Sequence, residues 1–349
     1  MDHNPNTLAA RIYDSTGPPS RRQISRSEMI KYTYSPDAHE IIDENGPNSS
    51  NISVIIPVYN DPNGIRDTLN SLVNQDYPAD RFEIIVVDNG STDNTIGIVE
   101  EYINNYPELI RLVSEDSIQS SYAARNKGIV SSKGSVIAFI DADMTVDTDW
   151  LMKIDQSLQK DQWEYLACGV EIYGNTNSIY EKYNKLTGFP IKSYVNNDHY
   201  APTCCLAVRK RVFDELGLFD SRFVSRGDFE FGNRVYRSGK ELYYQPDIGM
   251  RHPARSSFKG LYKKIFRVGR GYRQMTIYYP DRQDTRGRRL WNNLIYLPNN
   301  PWDFYLSHRR NKIWNTLSSR EKVAMYFIHW FLKLANNNGY WYETYRSGR

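Results

Sequence analysis

From Ile52 onward, short apolar runs rich in β-branched residues alternate with stretches of helical periodicity, and this alternation limits the possible fold most. Ile52–Val58 reads ISVIIPV, the pattern of a strand. Over residues 63–74 the apolar side chains Ile65, Leu69, Leu72 and Val73 fall on one helix face. The alternation then repeats. A strand is expected over 82–87, a helix over 93–103, a short strand over 109–113, a helix over 122–130 and a nearly unbroken apolar strand over 135–140. This βαβαβαβ order predicts an α/β fold with a mostly parallel central sheet, flanking helices and right-handed crossovers. Ligands of such sheets sit beyond the carboxyl ends of the strands.

The flanking segments differ in character. Residues 1–51 are rich in Asn, Ser, Pro and Asp without a sustained period, so a flexible extension is expected, with a short helix over 27–34. Charge is divided unevenly. From Arg251 to the end there are 20 Lys+Arg against 5 Asp+Glu, while the rest of the chain has 24 against 36. A basic end of this kind suits an anionic partner: phospholipid, nucleic acid or a phosphorylated substrate. Phe258, Leu261, Tyr262, Ile265 and Phe266 recur at helical spacing, with Lys259, Lys263, Lys264, Arg267 and Arg270 on the other side. The pattern suits equally an interfacial helix on anionic lipid and a helix packed on the preceding domain. Residues 323–335, VAMYFIHWFLKLA, are apolar nearly all round. They fall short of the roughly 18–20 residues needed to span a bilayer, so burial, a membrane interface or another subunit is expected to cover them. The start of the chain lacks the apolar core of a signal peptide. Cys168, Cys204 and Cys205 suggest neither a disulfide framework nor a zinc site. A cytoplasmic location follows as the expectation, and the sequons at Asn48, Asn51 and Asn89 then carry no meaning.

The strand ends hold the chemistry. The first reads Pro57-Val58-Tyr59-Asn60-Asp61 and lacks the glycine cradle of dinucleotide-binding proteins. The glycines at 269 and 271 lie in a basic helical segment and match that motif by chance. A phosphate bound here needs another neutralising device, and a divalent metal is the obvious one. The second strand ends at Asp88, before Asn89-Gly90. Asp88 is either an acceptor for a base N–H or ribose hydroxyl, or a turn aspartate; Asp93 is expected to cap the next helix. The fourth strand ends in Asp141-Ala142-Asp143. Two carboxylates so close at the exit of an apolar strand repel each other and are partly desolvated, which a cation relieves. On extended backbone both would point toward one ligand.

Taken in order, ISVIIPVYN from Ile52, Val87-Asp88-Asn89-Gly90-Ser91-Thr92-Asp93, Tyr122-Ala123-Ala124-Arg125-Asn126-Lys127-Gly128 and Asp141-Ala142-Asp143 resemble the family 2 glycosyltransferases of the GT-A fold, the nucleotide-diphospho-sugar transferases. The resemblance covers 52–257, with a nucleotide-binding half over 52–145, an acceptor half over 146–257 and a helical C-terminal extension over 258–349. It implies an inverting transfer of a sugar from a nucleoside-diphosphate sugar, UDP-linked rather than GDP-linked by frequency, to a carbohydrate or lipid-linked acceptor. Pro57 and Tyr59 would line the base and Asp88 would hydrogen-bond it. Arg125 would contact nucleotide or phosphate, the alternative being a surface arginine paired with a nearby acid. Asp141 would approach ribose and metal, Asp143 would bind Mn²⁺ or Mg²⁺ directly, His252 would complete the metal site, and Arg255 would meet the diphosphate. Asp228 stands at the position of the usual catalytic base, its alternative being a helix N-cap over 228–238. Relatives commonly carry Glu where Gly227 stands, and often Asn where Cys205 stands, which touches the acceptor contacts and not the base. Glu230 would orient the acceptor or bond locally. The Q-x-x-R-W signature of processive synthases is absent, favouring single-sugar transfer. A sugar nucleotidyltransferase would want a Gly-rich, basic loop after the first strand. A silent nucleotide-sugar-binding module would have lost Asp143 or Asp228. No nucleic-acid-binding module is recognisable in the basic tail.

Overall fold

The computed structural model describes residues 51–280 and 296–348. The helix expected over 27–34, with the rest of the extension up to residue 50, lies outside the described residues. Strand β1 (Ile52–Val58), helix α1 (Pro62–Val73), β2 (Phe82–Asp88), α2 (Thr95–Asn105), β3 (Ile110–Ser114), α3 (Ser121–Ser131) and β4 (Val136–Phe139) follow one another in the expected order. β1 lies between β2 and β4, β3 extends the sheet beyond β2, and every one of these pairings is parallel. Val54, Ile55, Ile56, Ile84, Ile85 and Val86 are inaccessible to solvent, as an unbroken apolar strand requires.

The second half adds β5 (Thr145–Val146), α4 (Trp150–Asp161), β6 (Tyr165–Tyr173), α5 (Ile179–Thr187), α6 (Ile191–Asp198), β7 (Leu206–Arg209), α7 (Lys210–Leu216), α8 (Gly227–Arg237) and β8 (Leu242–Pro253). β7 enters antiparallel between β4 and β6, so the order β3-β2-β1-β4-β7-β6-β8-β5 is parallel on one side and mixed on the other. Strand order reverses beside β1, and the crevice between the carboxyl ends of β1 and β4 is where such sheets take ligands. The two halves are bolted together by Asn126 of α3. Its amide donates to the Phe219 carbonyl at 2.8 Å and accepts from the Phe219 N–H at 3.0 Å, fixing the loop that leads to α8.

The C-terminal helices are α9 (Phe258–Tyr278), α10 (Pro301–His308), α11 (Lys312–Thr316) and α12 (Ser319–Arg346). α9 and α12 approach backbone to backbone. A Cβ at Gly269 would lie 1.9 Å from the Asn336 carbonyl oxygen, and one at Gly339 would lie 2.0 Å from that of Phe266. Gly271 meets the Ser225 carbonyl in the same way, so the glycines that imitate a dinucleotide motif are there for close packing. Leu261 of α9, with Met325, Ile328 and Leu332 of α12 and Tyr183 and Leu186 of α5, forms a second apolar core. The apolar face of α9 is thus committed to packing, the second of its two expected roles. The apolar stretch 323–335 is divided: Met325, Ile328, Leu332 and Ala335 are buried, while Val323, Phe327 and Phe331 are exposed. No helix among the described residues is long and apolar enough to cross a membrane.

Candidate active site

The loops leaving β1 and β2 are cross-tied into one wall. Asn60 adopts a left-handed φ of 50°. Its Oδ1 accepts from the Thr92 N–H at 2.7 Å, and its own N–H donates to Ser91 Oγ at 3.0 Å. Asp61 caps α1 through the Gly64 N–H at 2.9 Å. Pro57 is half-buried in this wall, and Tyr59, 49% exposed, offers an aromatic face for a planar base to stack on. Asp88 is buried and accepts from the N–H groups of Gly90 and Ser91 at 3.0 and 3.1 Å, the turn role of the two left open by sequence. A carboxylate has lone pairs left for one further donor. Asp93 is not the helix cap. Asn94 holds that place, and Asp93 instead accepts from the N–H and hydroxyl of Thr95.

The acidic doublet is arranged differently from a pair on extended backbone. β4 ends at Phe139, and Asp141–Asp143 form a turn in which the Met144 N–H donates to the Asp141 carbonyl at 3.1 Å. The two carboxylates stay within electrostatic reach of each other but have different partners. Asp141 accepts from Arg125 Nη2 at 2.6 Å. That arginine is nearly buried on α3 rather than on the surface, so it holds Asp141 in place from behind. Asp143 and His252 act on each other electrostatically. Burial raises the pKa of Asp143, with Asp141 and Asp61 adding to the rise and His252 and Arg255 opposing it. Burial likewise pushes the pKa of His252 down, against the pull of Asp143. His252 Nδ1 lies 2.7 Å from the Pro253 carbonyl, which only accepts, so Nδ1 carries the proton and Nε2 keeps its lone pair. One carboxylate and one neutral imidazole nitrogen fit Mn²⁺, and Mg²⁺ less well. A cation there relieves the buried charge of Asp143. No cluster of three or more His, Cys, Asp or Glu side chains suited to a metal occurs among the described residues. Substrate oxygens and water would complete the shell.

Asp228 lies in the first turn of α8, where Arg226 rather than Asp228 is the N-cap. Its Oδ1 accepts from the Phe229 N–H at 2.9 Å and stands 3.4 Å from the Tyr122 hydroxyl. Burial raises its pKa, while the Phe229 N–H, Arg226, Arg125 and Tyr122 hold it back. A carboxylate with raised proton affinity is a stronger general base. Gly227 is explained by its neighbour: a Cβ there would come within 2.8 Å of the Tyr122 ring, so the space an acidic side chain would need is taken by tyrosine. Glu230 bonds locally, the second of its two expected roles. It is buried and pairs with Arg234 at 2.8 Å, which also donates to the carbonyls of Gly217 and Leu218, so it braces α8.

Two cations flank Asp143 and His252: Arg255, expected at the diphosphate, and Lys264, which the sequence does not assign to the site. Arg255 is half-buried with Nη1 lacking any hydrogen-bond partner. Lys264 of α9 lies 4.6 Å over the Phe189 ring, and Phe189 packs against His252. Burial, reinforced by Arg255 and Arg267, pushes the Lys264 pKa down to about 8. Arg255, Lys264 and Arg267 feel one another, and the first two also feel Asp141. Their stripe was visible in sequence, but only the docking of α9 turns part of it toward the doublet. A cleft of about 660 Å³ opens beside this cluster, between the end of β6 and residues 185–190, and shares Phe189 with it. It contains neither Asp143 nor Asp228, so the chemistry belongs to the strand-end crevice.

A crevice of this geometry, acidic on one wall and cationic on the next, at the strand ends of this sheet, fits a glycosyltransferase of the GT-A type. Comparison with known proteins brings the class down to a family. The sequence profile of Glycosyl transferase family 2 matches residues 53–217. Glycosyltransferase AglE of Haloferax volcanii is 35% identical over 292 residues, 82% of this chain and 94% of its own. The chain belongs to the family 2 glycosyltransferases. A Methanococcus voltae enzyme, dolichyl N-acetyl-alpha-D-glucosaminyl phosphate 3-beta-D-2,3-diacetamido-2,3-dideoxy-beta-D-glucuronosyltransferase, is 27% identical over 234 residues, covering 62% of this chain and 71% of its own. Among solved structures, the mannosyltransferase PcManGT of Pyrobaculum calidifontis, in complex with GDP-Man and Mn²⁺, superposes with a TM-score of 0.58. At 18% identity, with 86% of this chain and 89% of that one covered, the likeness is one of fold.

Proposed function

We propose that this glycosyltransferase is inverting and metal-dependent, moving one sugar from a nucleoside-diphosphate sugar to a hydroxyl of a lipid-linked glycan or polysaccharide. The observation that carries the proposal is the coupling of Asp143 to a neutral His252 beside Arg255 and Lys264, cations that feel the acidic doublet but form no salt bridge among the described residues. Asp143 and His252 would hold Mn²⁺ or Mg²⁺, which when bound neutralises charge on the donor's diphosphate. Arg255 and Lys264 would share that diphosphate, and Pro57, Tyr59 and Asp88 would hold the base. Asp228 takes the proton of the acceptor hydroxyl as its oxygen bonds to the sugar C1. The bond from C1 to the diphosphate oxygen breaks, and its electron pair leaves with the nucleotide. A single displacement inverts C1, so an α-linked donor yields a β-linked product.

The name of the Methanococcus relative, which acts on a dolichyl-phosphate-linked sugar, supports a lipid-linked acceptor, and UDP remains the favoured nucleotide, with GDP open beside it. We place the enzyme at the cytoplasmic face of a membrane. Supporting this, Val323, Phe327 and Phe331 form an exposed stripe along α12, and Trp302 of α10 is 63% exposed. Aromatic stripes beside basic residues suit an anionic lipid interface. A thermal-shift screen of UDP- and GDP-sugars with and without Mn²⁺ tests the donor proposal. One donor should stabilise the protein only with the metal, by about 2.7 kcal/mol at a hundredfold excess over Kd. Asp143→Ala should lose that increment. Unchanged Mn²⁺-dependent affinity in the variant refutes the metal assignment.

A further inference from the structure

The reaction described above gives Arg226 no task beyond its electrostatic pull on Asp228. It stands two residues before the base, as N-cap of α8, with φ +72° and ψ 10°. A non-glycine residue holds that left-handed conformation only where its surroundings insist on it. The guanidinium lies between the rings of Phe229 and Tyr272, 4.0 Å from each centroid. Clamped on both faces, it can offer donors only along its edge, the direction in which arginine binds oxyanions bidentately. Nε is buried without a hydrogen-bond partner, and the side chain forms no ion pair among the described residues. Tyr194 and Tyr200, stacked at 4.9 Å, and Phe229, edge-on to Tyr200 at 5.4 Å, continue an aromatic wall suited to the face of a sugar ring. Asp228 acts electrostatically on both tyrosines, so this wall surrounds the base and not the donor doublet. A second guanidinium, Arg267, also acts on this region through Tyr122.

We propose that Arg226 binds a phosphate group carried by the acceptor, close to the hydroxyl that reacts. Two guanidinium groups suit a dianion better than a lone carboxylate. The assignment rests on Asp228 being the base of the transfer proposed above. The phosphate is borne either by a lipid or directly by a sugar, and the test separates them.

The enzyme is first saturated with UDP and Mn²⁺, or with GDP and Mn²⁺ if that binds instead, so that the donor's own phosphate site is filled. Farnesyl phosphate and glucose 1-phosphate are then titrated by calorimetry, beside farnesol and methyl α-glucoside. At least one phosphate should bind about tenfold tighter than its neutral counterpart. Preference for farnesyl phosphate alone marks a lipid-borne group, and preference for glucose 1-phosphate alone a sugar-borne one. Arg226→Gln and Arg226→Gly should erase the preference, and Arg226→Lys should keep part of it. Nucleotide–Mn²⁺ affinity should stay within about twofold in all three. Glycine suits the left-handed backbone, so loss of the preference in Arg226→Gly with an unchanged melting curve is not misfolding. The proposal is overturned if the wild type shows no preference for phosphate, or if the preference survives in both Arg226→Gln and Arg226→Gly. An enzyme that takes neither nucleotide with Mn²⁺ refutes the donor reading itself, and this assignment with it.

Discussion

Gly227 and Tyr122 function as one unit, because the ring occupies the volume that any side chain at 227 would need. Gly227→Ala should push the ring aside and disturb Asp228, lowering kcat by about 10²-fold while leaving donor affinity unchanged. Steady-state kinetics with the donor found above would check this, and an unaltered kcat would show the contact to be idle. Asp228 itself carries a sign that can be worked out. Its folded pKa lies above the unfolded value because burial penalises the charged form. Its contribution to stability is therefore present below the unfolded pKa and lost as pH rises through the folded one. At neutral pH the buried charge weakens the fold. Asp228→Asn should raise the unfolding midpoint by about 2 °C. It should also reduce transfer by roughly 10²–10⁴-fold. In the wild type the acid limb of the rate should fall at higher pH than for an ordinary carboxylate. A variant that melts lower and still transfers sugar would remove Asp228 as the base.

At the scale of elements, α9 joins packing to chemistry. Its Gly269 meets α12 and its Lys264 reaches over Phe189 toward the doublet. Further along the same interface, Arg270 and Gln274 bond the buried Glu343 at 2.7 and 3.0 Å. Gly269→Leu forces a side chain into the Asn336 backbone, and overpacking of this kind costs about 1–3 kcal/mol. Because α9 also carries Lys264 and Arg267, the same substitution should weaken nucleotide binding. Melting curves and nucleotide titrations of one sample would test both effects. Loss of stability with full nucleotide affinity would mean that α9 is only a buttress.

For the whole molecule, the stripe on α12 stays about half exposed although Phe331 at its end meets Phe258 of α9 edge-on at 6.3 Å, so its removal should leave the buried core intact. Replacing Trp302, Phe327 and Phe331 together by Ser should abolish sedimentation with vesicles of anionic phospholipid at unchanged melting temperature. Wild-type protein that stays in the supernatant in about 0.1 M salt would refute the membrane placement.

The chain itself determined the strand–helix alternation, the doublet after β4 and the position of Asp228, the proposed base, because each is written in local periodicity or in a short run of residues. Tertiary structure alone decided the rest. Asp141 and Asp143 have different partners because the chain turns after Phe139: Asp141 is held by Arg125, and Asp143 is coupled to His252. Glu230 turns inward because Arg234, one helical turn away, can pair with it there. The basic stripe of α9 divides between solvent and site because the glycine seam with α12 fixes which of its faces is covered. Contacts between residues distant in sequence set these outcomes, and no local pattern records them.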